Sequence, residues 1–237
     1  MIGLAGRVVL VTGGNRGIGL AIARAFSDVG DRVAVTYREK PVEGFFGVRC
    51  DVTSSAQVDA AFGEIEKELG PVEVLVSNAG ANADQLLLSM KEDAWLSVID
   101  ANLNGAYRVA RRATSKMIRA RNGRIIFISS VVGLLGSPGQ TNYAASKAGL
   151  VGLARSLARE IGGRGVTVNV VAPGFVTTDM TAALPEQRQS EILEQIPLKR
   201  MATAQEVAAT VVFLSSEDAG YITGAVIPVD GGLGMGH

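Results

Sequence analysis

Short apolar runs alternate with amphipathic helical patterns along this chain, and no other feature constrains its fold as strongly. Repeated strand–helix units fold into a parallel sheet whose two faces are covered by helices. The sequence therefore predicts an α/β protein in which residues 1–237 form a single domain, a doubly wound parallel sheet of about seven strands. The predicted strands are Arg7–Val11, Arg32–Tyr37, Phe46–Cys50, Val72–Ser77, Arg124–Ser129, Val166–Ala172 and Ala225–Val229.

Helical periodicity fills most of the intervals between these strands. Ser54 and Gln57 have the pattern of a capping box at the start of one helix. The connection Arg38–Phe46 is too short for a crossover, which needs about a dozen residues, so we expect a turn or short loop there. The predicted helices are Ile18–Val29, Ser54–Leu69, Lys91–Arg121, Asn142–Ile161, Glu186–Gln195 and Ala204–Ser215.

Charge and composition narrow the class of protein. Lysine and arginine together number 23, as do aspartate and glutamate, so no basic excess points to nucleic acid. No uninterrupted apolar stretch reaches the roughly 18 residues of a membrane helix. The single cysteine, Cys50, excludes an internal disulfide, and the N-terminus has no signal-peptide pattern. We therefore expect a cytoplasmic protein that binds neither nucleic acid nor membranes.

The only histidine is His237, the last residue. Catalytic triads built on histidine and zinc sites with several histidines are therefore excluded, and we expect no metal. Any acid–base chemistry must use tyrosine, lysine, aspartate or glutamate side chains.

The segment Thr12–Gly19 lies between the first predicted strand and the first predicted helix, which is the context of a Rossmann-type dinucleotide site. Gly13 permits a tight turn, Gly17 allows the backbone to approach a pyrophosphate, and Gly19 allows close helix–strand packing. The free N–H groups of the helix N-terminus favour phosphates. The alternative is an ordinary turn that contains several glycines. The other cofactor candidates in this segment are Asn15, Arg16 and Ile18.

The type of dinucleotide can be argued from charge. An NAD site usually has an acidic residue at the end of the second strand, but here that strand ends in Tyr37 and Arg38. Arg16 and Arg38 can bracket a 2′-phosphate, so NADP(H) is favoured over NAD(H). Two alternatives stay open: both arginines can be solvated surface charges, and Glu39 can reach the ribose if the chain turns differently.

Tyr143 and Lys147 are four residues apart in a predicted helix and therefore share one of its faces. An ammonium beside a phenol favours the phenolate and lowers the tyrosine pKa from about 10. A tyrosine of this kind can exchange a proton near neutral pH. The pair alone also arises by chance, as a half-buried tyrosine beside a solvated lysine.

Further motifs follow the predicted strands: Asn78-Ala79-Gly80, Asn102, Ser130, and Pro173-Gly174 with Thr178. With the glycine segment and Tyr143–Lys147, they resemble the short-chain dehydrogenases/reductases over the whole chain. Within that family the chain is most similar to the 3-oxoacyl-(acyl-carrier-protein) reductases of bacterial type II fatty-acid synthesis. The similar segments are Gly123–Ser130, Gln140–Lys147, Val168–Gly174 and Ile227–Gly232, and the short second crossover and the ending Gly234–His237 resemble actinobacterial members.

The resemblance implies a role for each catalytic candidate. Tyr143 would protonate the carbonyl oxygen, and Lys147 would lower the tyrosine pKa and bind the nicotinamide ribose. Ser130 would orient the substrate carbonyl, and Asn102 would hold a water that links Lys147 to solvent. From the residues alone, Ser130 can also be a strand-end cap, and Asn102 can support a bend in its helix.

The resemblance also implies NADP(H) contacts at the ends of three strands. Asp51 and Val52 would flank the adenine, although Asp51 can also cap a helix. The turn Asn78–Gly80 would pack beside the adenine-side ribose, although it can also be a plain turn. The residues implied near the nicotinamide are Pro173, Gly174, Val176 and Thr178.

The implied activity is reduction of a 3-oxoacyl thioester by NADPH. The implied partner is acyl carrier protein, docked by Arg121 and Arg164, and the implied assembly is a homotetramer. The segment Thr181–Lys199 would form a lid over the acyl chain. Two alternatives remain: the same chemistry on acetoacetyl-CoA, a polyketide intermediate or another ketone, and a dinucleotide-sensing protein without catalysis.

Overall fold

A computed structural model of the protein describes residues 6–177 and 186–235, which contain one parallel sheet of seven strands. The strands are β1 Val8–Val11, β2 Arg32–Tyr37, β3 Phe46–Arg49, β4 Val74–Ser77, β5 Gly123–Ile128, β6 Val166–Pro173 and β7 Val226–Val229. Their order across the sheet is β3-β2-β1-β4-β5-β6-β7. The predicted parallel α/β sheet is confirmed, with strand ends that differ from the prediction by at most two residues.

Helices cover both faces of this sheet. They are α1 Gly17–Asp28, α2 Ser55–Glu68, α3 Glu92–Ile99, α4 Gly105–Ala120, α5 Val132–Leu135, α6 Thr141–Ile161, α7 Glu186–Gln195 and α8 Ala204–Ser215. Among the described residues, no helix combines the length and the apolar composition that a membrane crossing requires.

The strands read as continuous apolar runs because both faces of the sheet are buried. Val9 of β1 pairs with Val33 of β2 on one side and with Val74 of β4 on the other, and all three are buried. Side chains from α2, α4 and α6 pack on one face, and side chains from α1 and α8 pack on the other. An apolar core therefore lies on each face of the sheet, and together the two cores hold the strands and their ends in position.

The start of α2 differs in one detail from the predicted capping box. The Ser54 hydroxyl accepts a hydrogen bond from the Gln57 backbone N–H at 3.3 Å, as expected. The Gln57 side chain instead accepts from the backbone N–H of Asp51 at 3.0 Å. In a full capping box the Gln57 side chain would accept from the Ser54 backbone N–H. Here its bond to Asp51 joins the helix to the end of β3 instead.

The predicted helix Lys91–Arg121 is interrupted. The α3 and α4 helices are separated by a π-helical turn at Asp100–Asn104. Such turns insert an extra residue into a helix and are frequent at functional sites. The expected loop between β2 and β3 is confirmed, since residues 38–45 contain no helix.

The strand order reverses between β1 and β4, because the chain leaves β1 towards β3 and later returns to the other side. In open parallel sheets, ligands bind in the crevice at the carboxyl ends of the strands where this reversal occurs. The turns after β1, β4 and β5 therefore lie where a dinucleotide site is expected.

Candidate active site

The first turns of α6 carry Tyr143 and Lys147 on one face, as predicted. Lys147 is only 5% exposed, and its Nζ lies 5.6 Å from the centre of the Tyr143 ring. The Nζ donates a hydrogen bond to the Ile128 carbonyl at the end of β5, at 2.8 Å. Ser129 holds the backbone of the same lysine, because its hydroxyl donates to the Lys147 carbonyl at 2.8 Å. The ammonium is therefore fixed at the carboxyl edge of the sheet.

Both ionisable groups shift toward their neutral forms. Burial raises the pKa of Tyr143; a hydrogen bond from the Ser130 hydroxyl opposes this shift and the Asp84 carboxylate adds to it. Burial lowers the pKa of Lys147 to about 8. The tyrosine pKa therefore lies above its usual value, opposite to the predicted direction, because removal of the phenol from water has the largest effect on it.

Ser130 is the second residue after β5 and is 9% exposed. Its hydroxyl accepts a hydrogen bond at 3.2 Å from the backbone N–H of Val132, the first residue of α5. The same hydroxyl acts on the pKa of Tyr143, so the two side chains are neighbours. The hydroxyls of Ser130 and Tyr143 therefore converge on the same edge of the sheet that holds the Lys147 ammonium.

Asn102 lies in the π-helical turn and is 2% exposed. Its Oδ1 accepts from the Ala81 N–H at 2.7 Å, and its Nδ2 donates to the Ala81 carbonyl and to the Ser146 hydroxyl, both at 2.9 Å. A Cβ on Gly80 would lie 2.8 Å from that Oδ1 and 3.7 Å from the Lys147 Nζ. Asn102 therefore joins the loop after β4 to the helix that carries the tyrosine and lysine.

Sequence reasoning missed three supporting residues. Ser146 is fully buried, and its hydroxyl donates to the Tyr143 carbonyl at 2.7 Å. Ser129 holds Lys147 as described above, and Asn142 is fully buried directly before Tyr143. The available signal was position, because each is a polar residue next to a catalytic candidate in the sequence.

The glycine loop after β1 has the backbone geometry that was predicted. Gly13 and Gly17 have φ values of 63° and 53°, a left-handed conformation that favours glycine. Gly19 has no room for a side chain, because a Cβ would overlap the Gly13 carbonyl and lie 2.5 Å from the Asn78 Nδ2. That Nδ2 donates to the Thr12 and Gly13 carbonyls at 3.0 and 3.1 Å. The turn after β4 thus fixes the shape of the loop.

The N-terminus of α1 suits a phosphate group. Its N-cap residue, Arg16, makes no side-chain capping bond, and the first turn contains no acidic residue. The unpaired N–H groups of this turn and the helix dipole together favour an anion. The Thr12 hydroxyl accepts from the N–H groups of Asn78 and Ala79, both at 3.0 Å, which joins the start of the glycine loop to the turn after β4.

The part of the site that is predicted to bind the adenine end of the cofactor is exposed and carries charged side chains. Arg16 is exposed, and Arg38 forms an exposed ion pair of 3.1 Å with Glu39. The Asn15 Nδ2 donates to the Lys40 carbonyl at 3.1 Å, so the glycine loop is tied to the segment that carries Arg38. The two arginines therefore belong to adjoining segments, and Glu39, the alternative ribose ligand predicted from the sequence, is paired with Arg38.

Asp51 and Val52 follow β3. The Asp51 Oδ1 accepts from the Thr53 N–H and hydroxyl at 2.9 and 2.8 Å, which stabilises the turn before α2. Val52 is 8% exposed and packs into the core, where a Cβ on Gly105 would lie 2.7 Å from it. Any adenine contact by Val52 must therefore come from its backbone.

The nicotinamide-side candidates extend from the end of β6. Pro173 is the last residue of that strand, and the Gly174 N–H donates to the Val229 carbonyl at 3.0 Å. Val176 is 4% exposed and forms a parallel bridge with Ala202. Thr178 and the first part of the predicted lid lie outside the described residues. In the described part of this predicted segment, Ile192 and Ile196 are buried, so they form the inner face of α7 and the turn after it.

Arg121 and Arg164 are brought together, but away from Tyr143. Arg121 follows α4, and its guanidinium donates to the Gly163 carbonyl at 3.1 Å, next to Arg164. Tyr143 is at the start of the 21-residue α6 and Arg164 follows its end. At a rise of 1.5 Å per residue, about 30 Å of helix separates them. The arginine pair therefore lies near the amino ends of the strands, whereas the tyrosine lies near their carboxyl ends.

Known proteins are similar to this chain over nearly its whole length. A family model described as enoyl-(acyl carrier protein) reductase matches residues 13–234. The chain is 60% identical to the 3-oxoacyl-(acyl-carrier-protein) reductase MabA of Mycobacterium tuberculosis, over 98% of this chain and 94% of that protein. It is 47% identical to the reductase FabG of Pseudomonas aeruginosa, over 98% and 99% of the two chains. For FabG of Escherichia coli the identity is 44%, over 97% and 98%.

The match extends over nearly the whole of this chain and of each relative, and it includes the glycine loop and the Tyr143–Lys147 helix. The seven-stranded parallel sheet has the topology of a dinucleotide-binding fold. The chain therefore belongs to the short-chain dehydrogenase/reductase family.

Proposed function

We propose that the protein reduces a 3-oxoacyl thioester, carried on acyl carrier protein, to the 3-hydroxyacyl thioester in fatty-acid synthesis. The reaction consumes one NADPH and one proton and releases NADP⁺. The observation that carries the proposal is the convergence of Ser130, Tyr143 and Lys147 at one strand edge, in a chain similar over its whole length to reductases of that name. The residues 1–237 form one NADP-binding domain in this proposal.

The crevice suits NADP(H), which supplies the hydride when bound. The uncapped first turn of α1 would hold the pyrophosphate, with Gly13 and Gly17 giving the backbone the shape needed for close approach. Arg16 and Arg38 would bind the 2′-phosphate. Lys147 would bind the nicotinamide ribose, and the segment from Pro173 would border the nicotinamide. The remaining proposed contacts are Asn15, Ile18, Gly19, Asp51, Val52, Asn78, Ala79, Gly80, Gly174, Val176 and Thr178.

Tyr143 would donate its hydroxyl proton to the substrate oxygen as negative charge develops there. Its raised pKa suits this role, because the phenol stays protonated at neutral pH and is therefore available as a general acid. Ser130 would donate a second hydrogen bond to the same oxygen. Lys147 would stabilise the phenolate that remains, and Asn102 would hold the water through which the proton is replaced.

The carrier protein would dock on Arg121 and Arg164, as positive groups facing an acidic partner. These arginines lie about 30 Å of helix from Tyr143. We further propose a homotetramer in which long helices pair between subunits and a docked carrier serves the active site of a neighbouring subunit. A cytoplasmic location belongs to the same proposal and agrees with the single cysteine, which excludes an internal disulfide.

A second candidate is enoyl reduction, because the family model that matches carries that description. The experiment is an NADPH oxidation assay with acetoacetyl and trans-2-butenoyl thioesters, each on acyl carrier protein and on CoA, and with small ketones. We expect the highest kcat/KM for acetoacetyl on the carrier protein. A preference for the butenoyl thioester supports enoyl reduction instead, and a preference for small ketones over both thioesters contradicts the proposal.

A further inference from the structure

Asn142 is the residue before Tyr143, and its side chain is completely buried. Its Nδ2 donates to the Ala83 carbonyl at 3.0 Å and to the Ala94 carbonyl at 3.3 Å. Its Oδ1 accepts from the Tyr143 backbone N–H at 2.8 Å. One amide thus links the first turn of α6 to two other parts of the chain, the loop after β4 and helix α3.

An amide is the only side chain of this size that can make these bonds. Two carbonyl groups require donors and one N–H requires an acceptor, and asparagine supplies both from a single planar group. The N–H of Tyr143 is in the first turn of α6, where no carbonyl of the same helix is available to it. Without Asn142, the part-buried Ala83 carbonyl and Tyr143 N–H would each lose a hydrogen-bond partner, whereas the Ala94 carbonyl would keep its bond from the Ser97 hydroxyl.

Neighbouring bonds reinforce the same contact. The Gln85 N–H donates to the Gly139 carbonyl at 2.8 Å, and the Gln140 Nε2 donates to the Asp84 carboxylate at 2.9 Å. Both bonds are at the surface, whereas Asn142 is fully buried. Asn142 is therefore the member of this contact that water cannot replace.

We propose that Asn142 is a positioning residue for Tyr143: it holds the first turn of α6 against the Ala83 loop and α3, so that the phenol points at the reacting oxygen. The proposal rests on the proposed role of Tyr143 as proton donor. A misplacement of about 1 Å can lower a rate roughly 100-fold, so the orientation of this turn has a direct effect on kcat.

The test compares Asn142→Ala with a matched control, Asn169→Ala. Asn169 is also fully buried, and its amide bonds the Ile222 carbonyl at 2.8 Å and the Ala225 N–H at 3.1 Å, between β6 and the segment before β7. Both variants should lose thermal stability. We expect kcat to fall about 10- to 100-fold only in Asn142→Ala, with the KM for NADPH unchanged. Equal kcat values for the two folded variants, whether lowered or retained, overturn the proposal.

Asn142→Asp provides a second test that applies even if the alanine variant does not fold. The aspartate keeps the acceptor for Tyr143 but loses the donor while it is ionised, and burial raises the pKa of such a carboxyl. As the pH falls and the carboxyl protonates, its O–H can again donate to a carbonyl. We expect kcat relative to the wild type to recover at acid pH, and a ratio independent of pH contradicts the proposal.

Because kcat of the variant is divided by kcat of the wild type, titratable groups that both proteins share do not affect the ratio. Tyr143 on α6, Asp84 in the loop after β4, and Glu92 and Asp93 on α3 are present in both proteins. Tyr143→Phe is assayed alongside. If it retains full activity, the proposed function fails; if it is inactive while Asn142→Ala is normal, only the positioning role fails.

Discussion

The Lys147 ammonium lies 5.6 Å from the centre of the Tyr143 ring, yet its hydrogen bond goes to the Ile128 carbonyl, at 2.8 Å. The lysine thus stands beside the phenol while it is anchored to the sheet. Burial raises the pKa of the tyrosine and lowers that of the lysine to about 8. In the absence of cofactor the site therefore favours the neutral form of Tyr143, and Lys147 loses its positive charge more readily than an exposed lysine does.

The pH dependence of the reduction should follow the lysine. Tyr143 stays protonated well into the alkaline range because its pKa is raised, whereas Lys147 loses its charge as the pH rises through about 8. We expect kcat/KM to fall above pH about 8 in steady-state assays. In Lys147→Arg, whose side chain remains charged, this decline should move to higher pH even though kcat is lower. A wild-type profile that is flat to pH 10 contradicts this assignment.

Lys147→Met should stabilise the cofactor-free protein while it abolishes activity. The lysine pKa is about 8 when folded and 10.5 when unfolded, so between these values the unfolded chain binds more protons and stability rises with pH. Below about pH 8 the wild type bears the full cost of the buried charge. Each kcal/mol relieved raises Tm by about 2–4 °C for a chain of this size. The gain, measured by thermal unfolding, should shrink from pH 7 to pH 10; a gain that grows with pH contradicts the prediction.

Arg38 and Glu39 should have opposite effects on cofactor choice. A hydrogen bond to a charged group contributes about 1.5–3 kcal/mol, so Arg38→Ala should weaken NADPH binding about 10- to 100-fold and leave NADH unchanged. Glu39→Gln removes the carboxylate that holds Arg38 at 3.1 Å and should tighten NADPH binding. Fluorescence titration with both cofactors measures the effects. Equal losses for NADPH and NADH in Arg38→Ala would show that the arginine does not bind the 2′-phosphate.

Gly63 and Gly152 provide a matched pair for the proposed tetramer. Both are exposed glycines in helix interiors, α2 and α6, and a Cβ would meet nothing within 4 Å at either site in the single chain. Alanine in a helix is favoured over glycine by about 0.5–1 kcal/mol, so Gly63→Ala should raise Tm. If α6 packs against another subunit, Gly152→Ala should instead weaken the assembly in analytical ultracentrifugation. Equal stabilisation by both variants argues against pairing through this face.

Docking in the proposed tetramer can be tested by subunit mixing. Tyr143→Phe subunits retain Arg121 and Arg164, whereas subunits with Arg121→Glu and Arg164→Glu retain the catalytic groups. If a docked carrier serves a neighbouring subunit, mixed tetramers should reduce the carrier-bound substrate although neither parent does. The docking variant alone should still reduce the CoA thioester. No recovery on mixing, with mixed tetramers verified by mass spectrometry, contradicts docking between subunits.

Much of the fold could be predicted because its signals are local. The apolar runs of β1 and β4 are buried on both faces, and each is continuous in the sequence. The loss of a crossover helix after Arg38 followed from segment length alone. The π-helical turn within the predicted Lys91–Arg121 helix could not be predicted from local signals. At this turn Asn102 bonds to Ala81, a residue in another segment.

The sequence by itself determined the parallel α/β class, the glycine loop and the shared face of Tyr143 and Lys147, because these depend on periodicity and spacing within one element. Only the tertiary structure decided the direction of the tyrosine pKa, the burial of Asn142 and the separation of Arg164 from the catalytic edge. The physical reason is that solvent exclusion and hydrogen-bond partners depend on how distant segments pack. A helical pattern shows that Tyr143 is close to Lys147, but not how much water surrounds either group.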